Sequence, residues 1–193
     1  DGEAKAMADV VRTLALHEAS RDLIDVGAYR AGTNAALDRA IQLVPALEQL
    51  VREIPGGVDR IELRVSADAP PTIESDALRL DQVLTNLLDN ARKYSPEGAP
   101  IVVAVSNDGR RVWFAIRDAG RGVAEADRGA IFERFRRADD SSAPGAGLGL
   151  YISRGLGRAH GGELEVGDAV DGGARFTFWL PVLAPGEHEV TIG

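Results

Sequence analysis

Several residue types and patterns are missing from the chain, and each absence narrows its chemistry. The 193 residues include no cysteine, which excludes disulfide bonds and thiolate metal sites and fits a reducing compartment. Lysine occurs only as Lys5 and Lys93, and neither follows a glycine, so the Gly-Lys-Ser/Thr core of a P-loop is absent. No apolar run reaches membrane-spanning length and no signal peptide is visible, so we expect a chain that is not inserted in a membrane.

Positive charge is also scarce. The chain has 22 Lys and Arg against 30 Asp and Glu, a net charge of −8. A nucleic-acid surface needs a basic stripe that displaces counterions from the phosphate backbone, so we expect no nucleic-acid partner. The local group of Arg134, Arg136 and Arg137 is better interpreted as a polyphosphate contact.

The length and the hydrophobic content of 45% predict one main domain. Apolar spacing predicts a long helix over 3–31 and a second helix over 35–54, which Pro45 should kink or split. Alternating patterns and turn residues predict strands joined by hairpin turns at 107–109 and 171–173. The predicted strands cover 61–65, 101–105, 112–116, 163–167 and 174–180, and residues 184–193 are interpreted as a tail.

A further helix is predicted over 79–94, and its two faces differ. At 100° per residue, one stripe collects the apolar side chains Leu80, Val83, Leu84, Leu87, Leu88 and Ala91. Asn86, Asn90 and Lys93 cluster roughly 120° away from that stripe. Two amides and a lysine can hold a hydrated Mg²⁺ and a phosphate, because Mg²⁺ takes oxygen ligands and keeps several waters. For this helix considered alone, a solvated polar face is the better interpretation.

Two glycine-rich segments carry the strongest signal. Asp118, Gly120 and Gly122 form the first, and Gly145, Gly147, Leu148 and Gly149 form the second. Glycines let backbone N–H groups approach phosphate oxygens, and an aspartate in a tight turn can accept a hydrogen bond from an exocyclic amine. The dinucleotide fingerprint is excluded, because position 150 is leucine where the third glycine is required. With the 79–94 helix, these segments indicate a nucleotide site.

Four blocks of sequence resemble the ATP-binding catalytic domain of bacterial sensor histidine kinases, in order and in spacing: 86–94, 118–122, 132–137 and 145–150. The resemblance covers roughly 33–182 and implies the Bergerat fold, a two-layer α/β sandwich with a mixed β-sheet. In that fold ATP lies between the helices under a lid, here about 121–146. The implied organisation is the C-terminal part of a dimerisation and phosphotransfer hairpin at 1–32, the catalytic domain at 33–183 and a tail at 184–193.

The resemblance also implies a role for each site residue. Asp118 receives the adenine amine in a turn shaped by Gly120 and Gly122. Asn90 ligates Mg²⁺ with help from Asn86, Lys93 and Arg137 meet phosphates, and Tyr94 packs near the ribose or base. The backbone amides of the segment Gly145, Gly147, Leu148 and Gly149 face the triphosphate at the start of a helix. Phe132 and Phe135 anchor the lid, and His160 ends a helix in a structural role.

Two positions depart from the family pattern. Ala119 stands where these kinases often carry Asn, and Ala146 stands where they often carry Thr or Ser. Loss of that hydroxyl is expected to weaken a lid or phosphate contact without abolishing ATP binding.

The expected reaction is phosphoryl transfer to histidine. Related ATPases place a glutamate one helical turn before the metal-binding asparagine, where it activates water. Asn86 occupies that position, and an amide cannot take the proton. His17 lacks the proline that the family carries five residues later, where Asp22 stands. In the family the acceptor lies on the first helix of the hairpin, whereas residues 20–32 resemble the end of the second. The acceptor histidine, and with it any catalytic residue, is therefore expected outside this chain, and His17 remains the alternative acceptor.

The implied cofactors and partners are ATP, Mg²⁺, the dimerisation hairpin of the same kinase and a cognate response regulator. The implied location is cytoplasmic, as the cytoplasmic portion of a membrane-bound sensor. Two alternatives remain open at this point: a regulatory module that binds ATP without transferring phosphate, and an anti-sigma-type serine kinase of the same fold.

Overall fold

The computed structural model of the chain describes residues 38–136, 147–170 and 172–182. The described chain begins with β1 (Asp38–Gln42), α1 (Leu43–Glu53), α2 (Gly57–Arg60) and β2 (Ile61–Val65). It continues through β3 (Thr72–Asp76), α3 (Ala77–Tyr94), β4 (Ile101–Asn107) and β5 (Arg111–Arg117). Two short 3₁₀ turns, Glu125–Asp127 and Ala130–Phe132, precede α4 (Gly149–Ala159), β6 (Glu163–Asp168) and β7 (Ala174–Pro181).

Five strands form a mixed sheet in the order β2-β4-β5-β7-β6, in which β2 and β4 are parallel and the other pairs are antiparallel. Alternate residues point to opposite faces of a strand, so β5 buries Val112, Phe114 and Ile116 on one face. Phe114 is in register with Phe178 of β7, and the two rings stack with centroids 5.8 Å apart. The expected two-layer α/β sandwich with a mixed sheet is confirmed.

Helix α3 packs its apolar stripe against this sheet. All six residues of the predicted stripe are buried, and they join one core with the buried faces of α1, α4 and the strands. The helix begins at Ala77, two residues earlier than predicted, because Asp76 caps it: its Oδ1 accepts hydrogen bonds from the backbone N–H groups of Leu78 and Arg79 at 3.0 and 3.2 Å. The Asn-bearing face of α3 is therefore left outside the core.

The prediction of a helix over 35–54 is wrong for its described first part. Residues 38–42 form β1, which pairs antiparallel with β3, a strand that the sequence patterns did not predict. The helix starts only at Leu43, so Pro45 lies in its first turn and does not kink it. Backbone N–H groups in a first turn have no partner within the helix, and the missing N–H of proline costs nothing there.

Both predicted hairpins are confirmed. Asn107 ends β4 and Arg111 begins β5, and the side chain of Asn107 accepts the Gly109 N–H at 2.8 Å. The second hairpin joins β6 to β7, which are antiparallel. The helix predicted over 3–31 and the tail over 184–193 lie outside the described residues. Within the described ranges, no helix is long and apolar enough to cross a bilayer.

Glu163 links the start of β6 to α4 through hydrogen bonds. Its carboxylate accepts hydrogen bonds from Arg154 Nε at 3.0 Å, Arg158 Nε at 2.9 Å and the Leu164 N–H at 3.0 Å. Burial alone would raise the pKa of Glu163, but the bonds from Leu164, Arg154 and Arg158 outweigh it, and the pKa lies below its ordinary value of 4.5.

Glu163→Gln should therefore destabilise the fold in a pH-dependent way. A folded-state pKa below the unfolded-state value means that the carboxylate stabilises the fold above about pH 4.5, and that this contribution is lost as pH falls through the folded-state pKa. We expect the free energy of unfolding to drop by about 0.5–1 kcal/mol at pH 7, and the difference to vanish on acidification. Urea unfolding across this pH range measures it. Glu165→Gln, an exposed change on the same strand, is the control, and a deficit independent of pH would contradict the expectation.

Candidate nucleotide-binding site

Asp118 lies directly after β5, and its carboxylate is tied to the backbone on both sides. Only 7% of the residue is exposed. Oδ1 accepts the Gly120 N–H at 2.8 Å and the Ala174 N–H at 3.1 Å, while the Asp118 N–H donates to the Ala174 carbonyl at 3.0 Å. Among the described residues, both hydrogen bonds to the carboxylate end on Oδ1. Oδ2 is therefore the oxygen that can accept a hydrogen bond from a ligand.

The glycines around Asp118 allow backbone segments to touch. A Cβ on Gly120 would lie 2.5 Å from the Tyr94 carbonyl oxygen, where α3 ends. A Cβ on Gly173 would lie 2.1 Å from the Asp118 carbonyl oxygen, and Gly173 has a left-handed φ of +80°. Gly122 lies beside the Gly173 carbonyl. Gly173 is thus part of the support of Asp118, although the sequence patterns assigned it only to a hairpin turn.

The C-terminal end of α3 closes one side of this turn. Ser95 Oγ accepts the Ala119 N–H at 3.3 Å, a contact that sequence reasoning missed. Tyr94 is partly exposed, and the Arg121 guanidinium lies 6.0 Å from the centre of its ring. Lys93 is exposed. The structure thus brings Tyr94 next to the Asp118 turn.

The start of α4 forms the other side of the candidate site. Asn86 on α3 donates from Nδ2 to Ser153 Oγ on α4 at 3.2 Å. A methyl carbon placed on Gly149 would lie 3.8 Å from Asn86 Oδ1, so the amide is close to the first residue of α4. Asn90 follows one turn later on the same face of α3 and is half-buried. The Asn86 amide is therefore next to the second glycine segment, and Asn90 lies one turn farther along the same helix face.

Within that segment, side chain and backbone have separate roles. Leu148 buries its side chain in the core, so a contact from it to a ligand would have to come from its backbone. Gly147 lies against the backbone of Phe135 and Arg136. This contact brings together the described residues on the two sides of 137–146. Gly145 and Arg137 lie outside the described residues.

The two phenylalanines that were expected to anchor the lid behave differently. Phe132 is buried in the core, with the Arg154 guanidinium 4.7 Å from the centre of its ring. Phe135 is 64% exposed and has a positive φ of +60°, so its expected packing role is wrong. Phe135 lies in a turn that the Arg136 N–H closes on the Glu133 carbonyl oxygen at 3.3 Å. His160 ends α4 as expected, and its Nδ1 lies 2.8 Å from the Leu156 carbonyl oxygen.

The donor groups fit a nucleotide with a hard cation. A buried carboxylate with one available oxygen suits an exocyclic amine. Asn86 and Asn90 supply neutral oxygens, and the described residues hold no group of three or more His, Cys, Asp or Glu that could bind a metal. Mg²⁺ takes oxygen ligands and keeps several waters, and an amide oxygen is a ligand of this type.

Comparison with known proteins places this geometry in a family. A family model described as "Histidine kinase-, DNA gyrase B-, and HSP90-like ATPase" matches residues 75–184, more than half of the chain. The chain belongs to this family. A second model, described as "T3SS EscN ATPase C-terminal domain", matches residues 1–55. Its described part forms β1 and α1, whose buried residues belong to the core of the sandwich.

The related proteins are sensor kinases. The alginate biosynthesis sensor protein KinB of Pseudomonas aeruginosa is 35% identical over 83% of this chain and 27% of its own length. The adaptive-response sensory kinase SasA of Nostoc sp. is 41% identical over 62% of this chain and 31% of its own length. The chain therefore spans less than a third of these relatives.

Solved structures agree with the sequence relatives. The mycobacterial sensor histidine kinase MprB, 29% identical, superposes with a TM-score of 0.64 over 75% of this chain and 97% of the other. Full-length ShkA in complex with AMPPNP, 32% identical, also gives 0.64, over 94% of this chain and 40% of the other. Within its family the chain is accordingly an ATP-binding catalytic domain of the histidine kinase type.

We expect Gly173→Ala to destabilise the backbone that holds Asp118 in place. Gly172→Ala provides a matched control. Both residues have left-handed backbones, with φ of +80° and +85°, so each alanine costs about 1–2 kcal/mol of backbone strain. A Cβ meets nothing within 4 Å at Gly172 but collides with the Asp118 carbonyl at Gly173. We expect Gly173→Ala to lower the free energy of unfolding clearly more than Gly172→Ala in urea titrations. Equal losses would show that the close approach at Gly173 carries no energy.

Proposed function

We propose that this chain binds Mg-ATP as the catalytic domain of a sensor histidine kinase and delivers the γ-phosphoryl group to a histidine outside the chain. The observation that carries the proposal is the Asp118 carboxylate, buried, fixed through Oδ1 and able to accept an amine through Oδ2. The sensor kinases among its relatives support the choice of reaction, and the match to ShkA with AMPPNP supports the ligand.

The proposed contacts are the roles that the resemblance implies for each residue. Asp118 takes the adenine amine, with Gly120 and Gly122 shaping its turn, and Tyr94 lies beside the base or ribose. Asn90 and Asn86 face the metal and the phosphates, where Mg²⁺ would neutralise phosphate charge. Lys93 and Arg137 meet phosphate oxygens. The backbone of the segment Gly145, Gly147, Leu148 and Gly149 faces the triphosphate at the start of α4, where helix N–H groups attract anions.

Transfer to histidine is favoured over hydrolysis by the residue at position 86. An amide there binds and orients but cannot remove a proton from water, whereas a neutral imidazole acceptor needs no strong base. Positioning and charge stabilisation are then the main tasks of the protein. Residues 33–183 form the proposed catalytic domain, 1–32 the end of a dimerisation hairpin and 184–193 a tail. The proposed partners are the hairpin of the same kinase and a response regulator, on the cytoplasmic side where ATP is present.

Asp118→Asn should separate recognition of adenine from the structure of the turn. The asparagine Oδ1 can still accept the Gly120 and Ala174 N–H groups, but the second acceptor becomes an NH₂ donor that faces the adenine amine. We expect ATP affinity to fall roughly 10- to 100-fold with little change in thermal unfolding. Titration calorimetry measures the affinity, and Asp59→Asn, on an exposed carboxylate of α2, is the matched control. Unchanged affinity would remove Asp118 from the site.

Phosphoryl transfer is tested with γ-labelled ATP. We expect no label on the isolated chain, and acid-labile, base-stable label on a separately supplied dimerisation hairpin of the same kinase, because phosphohistidine has that stability. Label on the isolated chain that disappears in His17→Gln would place the acceptor at His17 and contradict the proposal. Acid-stable label on the serine of an added protein would favour the anti-sigma-type kinase, and ATP binding without any transfer would favour the regulatory module.

A further inference from the structure

Ser153 is a polar residue in an otherwise apolar part of α4. Its exposure is 0%, and its helix neighbours Ile152 and Leu156 belong to the core. Burying a hydroxyl without a hydrogen bond costs free energy, so the partner of this hydroxyl has to be identified. A serine within a helix commonly bonds the carbonyl of the preceding turn. Here the hydroxyl is hydrogen-bonded to a different helix: Asn86 Nδ2 on α3 donates to Ser153 Oγ at 3.2 Å.

That bond occupies only one end of the Asn86 amide. The NH₂ end faces the buried hydroxyl, and Oδ1 lies near Gly149, where a methyl carbon would be 3.8 Å away. The two ends of a carboxamide have nearly the same shape, and its terminal torsion is only weakly restricted. By accepting from Nδ2, the Ser153 hydroxyl holds that end of the amide against α4 and leaves Oδ1 on the side of Gly149. Mg²⁺ accepts only the oxygen as a ligand.

We infer that Ser153 is a positioning residue: its hydroxyl holds the Asn86 carboxamide with Oδ1 turned toward the metal and the triphosphate. The inference rests on the proposed function, because it assigns Asn86 its orientation in that site. Groups that orient a metal ligand typically change metal affinity 10- to 100-fold when they are removed. A purely structural hydroxyl would instead affect the stability of the fold and nucleotide binding without regard to Mg²⁺.

The test compares ATP affinity in excess Mg²⁺ with ATP affinity in EDTA, by titration calorimetry on the whole chain. We expect Ser153→Ala to weaken binding in Mg²⁺ roughly tenfold and to leave binding in EDTA within about twofold. In the Asn86→Ala background, Ser153→Ala should cause no further loss, because the amide that it orients is gone. Ser75→Ala, at a second buried serine on β3, is the matched control and should leave the Mg²⁺ dependence unchanged.

Each result decides between the inference and its rival. An equal loss with and without Mg²⁺, or a loss that persists in the Asn86→Ala background, overturns the role of Ser153. Wild-type binding that depends on Mg²⁺, together with an unaffected Ser153→Ala variant, overturns this role and leaves the proposed function standing. A wild-type chain that does not bind ATP overturns both. If Ser153→Ala does not fold, Ser153→Cys decides by the same criteria, since a thiol fills the space but accepts hydrogen bonds weakly.

Discussion

The carboxylate of Asp118 connects two strands of the sheet at the point where the candidate site is built. Its Oδ1 binds the backbone of Gly120 in the loop after β5 and the backbone of Ala174 at the start of β7. A buried carboxylate is tolerated only when it is hydrogen-bonded, and here the backbone supplies the bonds. Backbone hydrogen bonds to Oδ1 then fix the position of Oδ2, so the carboxylate needs little reorganisation when a ligand binds.

Helix α3 links that carboxylate to the rest of the site. Its apolar stripe is buried against the sheet, which fixes the rotation of the helix about its own axis. The face with Asn86 and Asn90 then lies outside the core, where Asn86 contacts α4, and the C-terminal end at Tyr94 lies against the Asp118 turn. One packing interaction thus positions both the amides and the aromatic residue. Substituting a residue of the stripe would disturb the site without touching it.

The candidate site depends on local polarity in a chain that is acidic as a whole. With a net charge of −8, the chain does not attract a nucleotide through its overall field. The proposed function therefore relies on short-range contacts: one carboxylate acceptor, two amides, the helix start at Gly149 and the cationic side chains Lys93 and Arg137. A hydrated Mg²⁺ suits the proposed arrangement, because it offsets phosphate charge.

The sequence alone determined the features that depend on near neighbours in the chain. The stripe and the amide face of α3 follow from helical period, both hairpins follow from their turn residues, and the spacing of 86–94, 118–122 and 145–150 indicated the family. Tertiary structure decided the rest. β1 is a strand because β3 lies beside it, and Gly173 must be glycine because the Asp118 carbonyl occupies the space of a Cβ. Phe135 has a left-handed backbone and is exposed. Ser153 and Ser95 matter through partners that are 67 and 24 residues away. No local pattern records such contacts, because they exist only after distant segments have packed together.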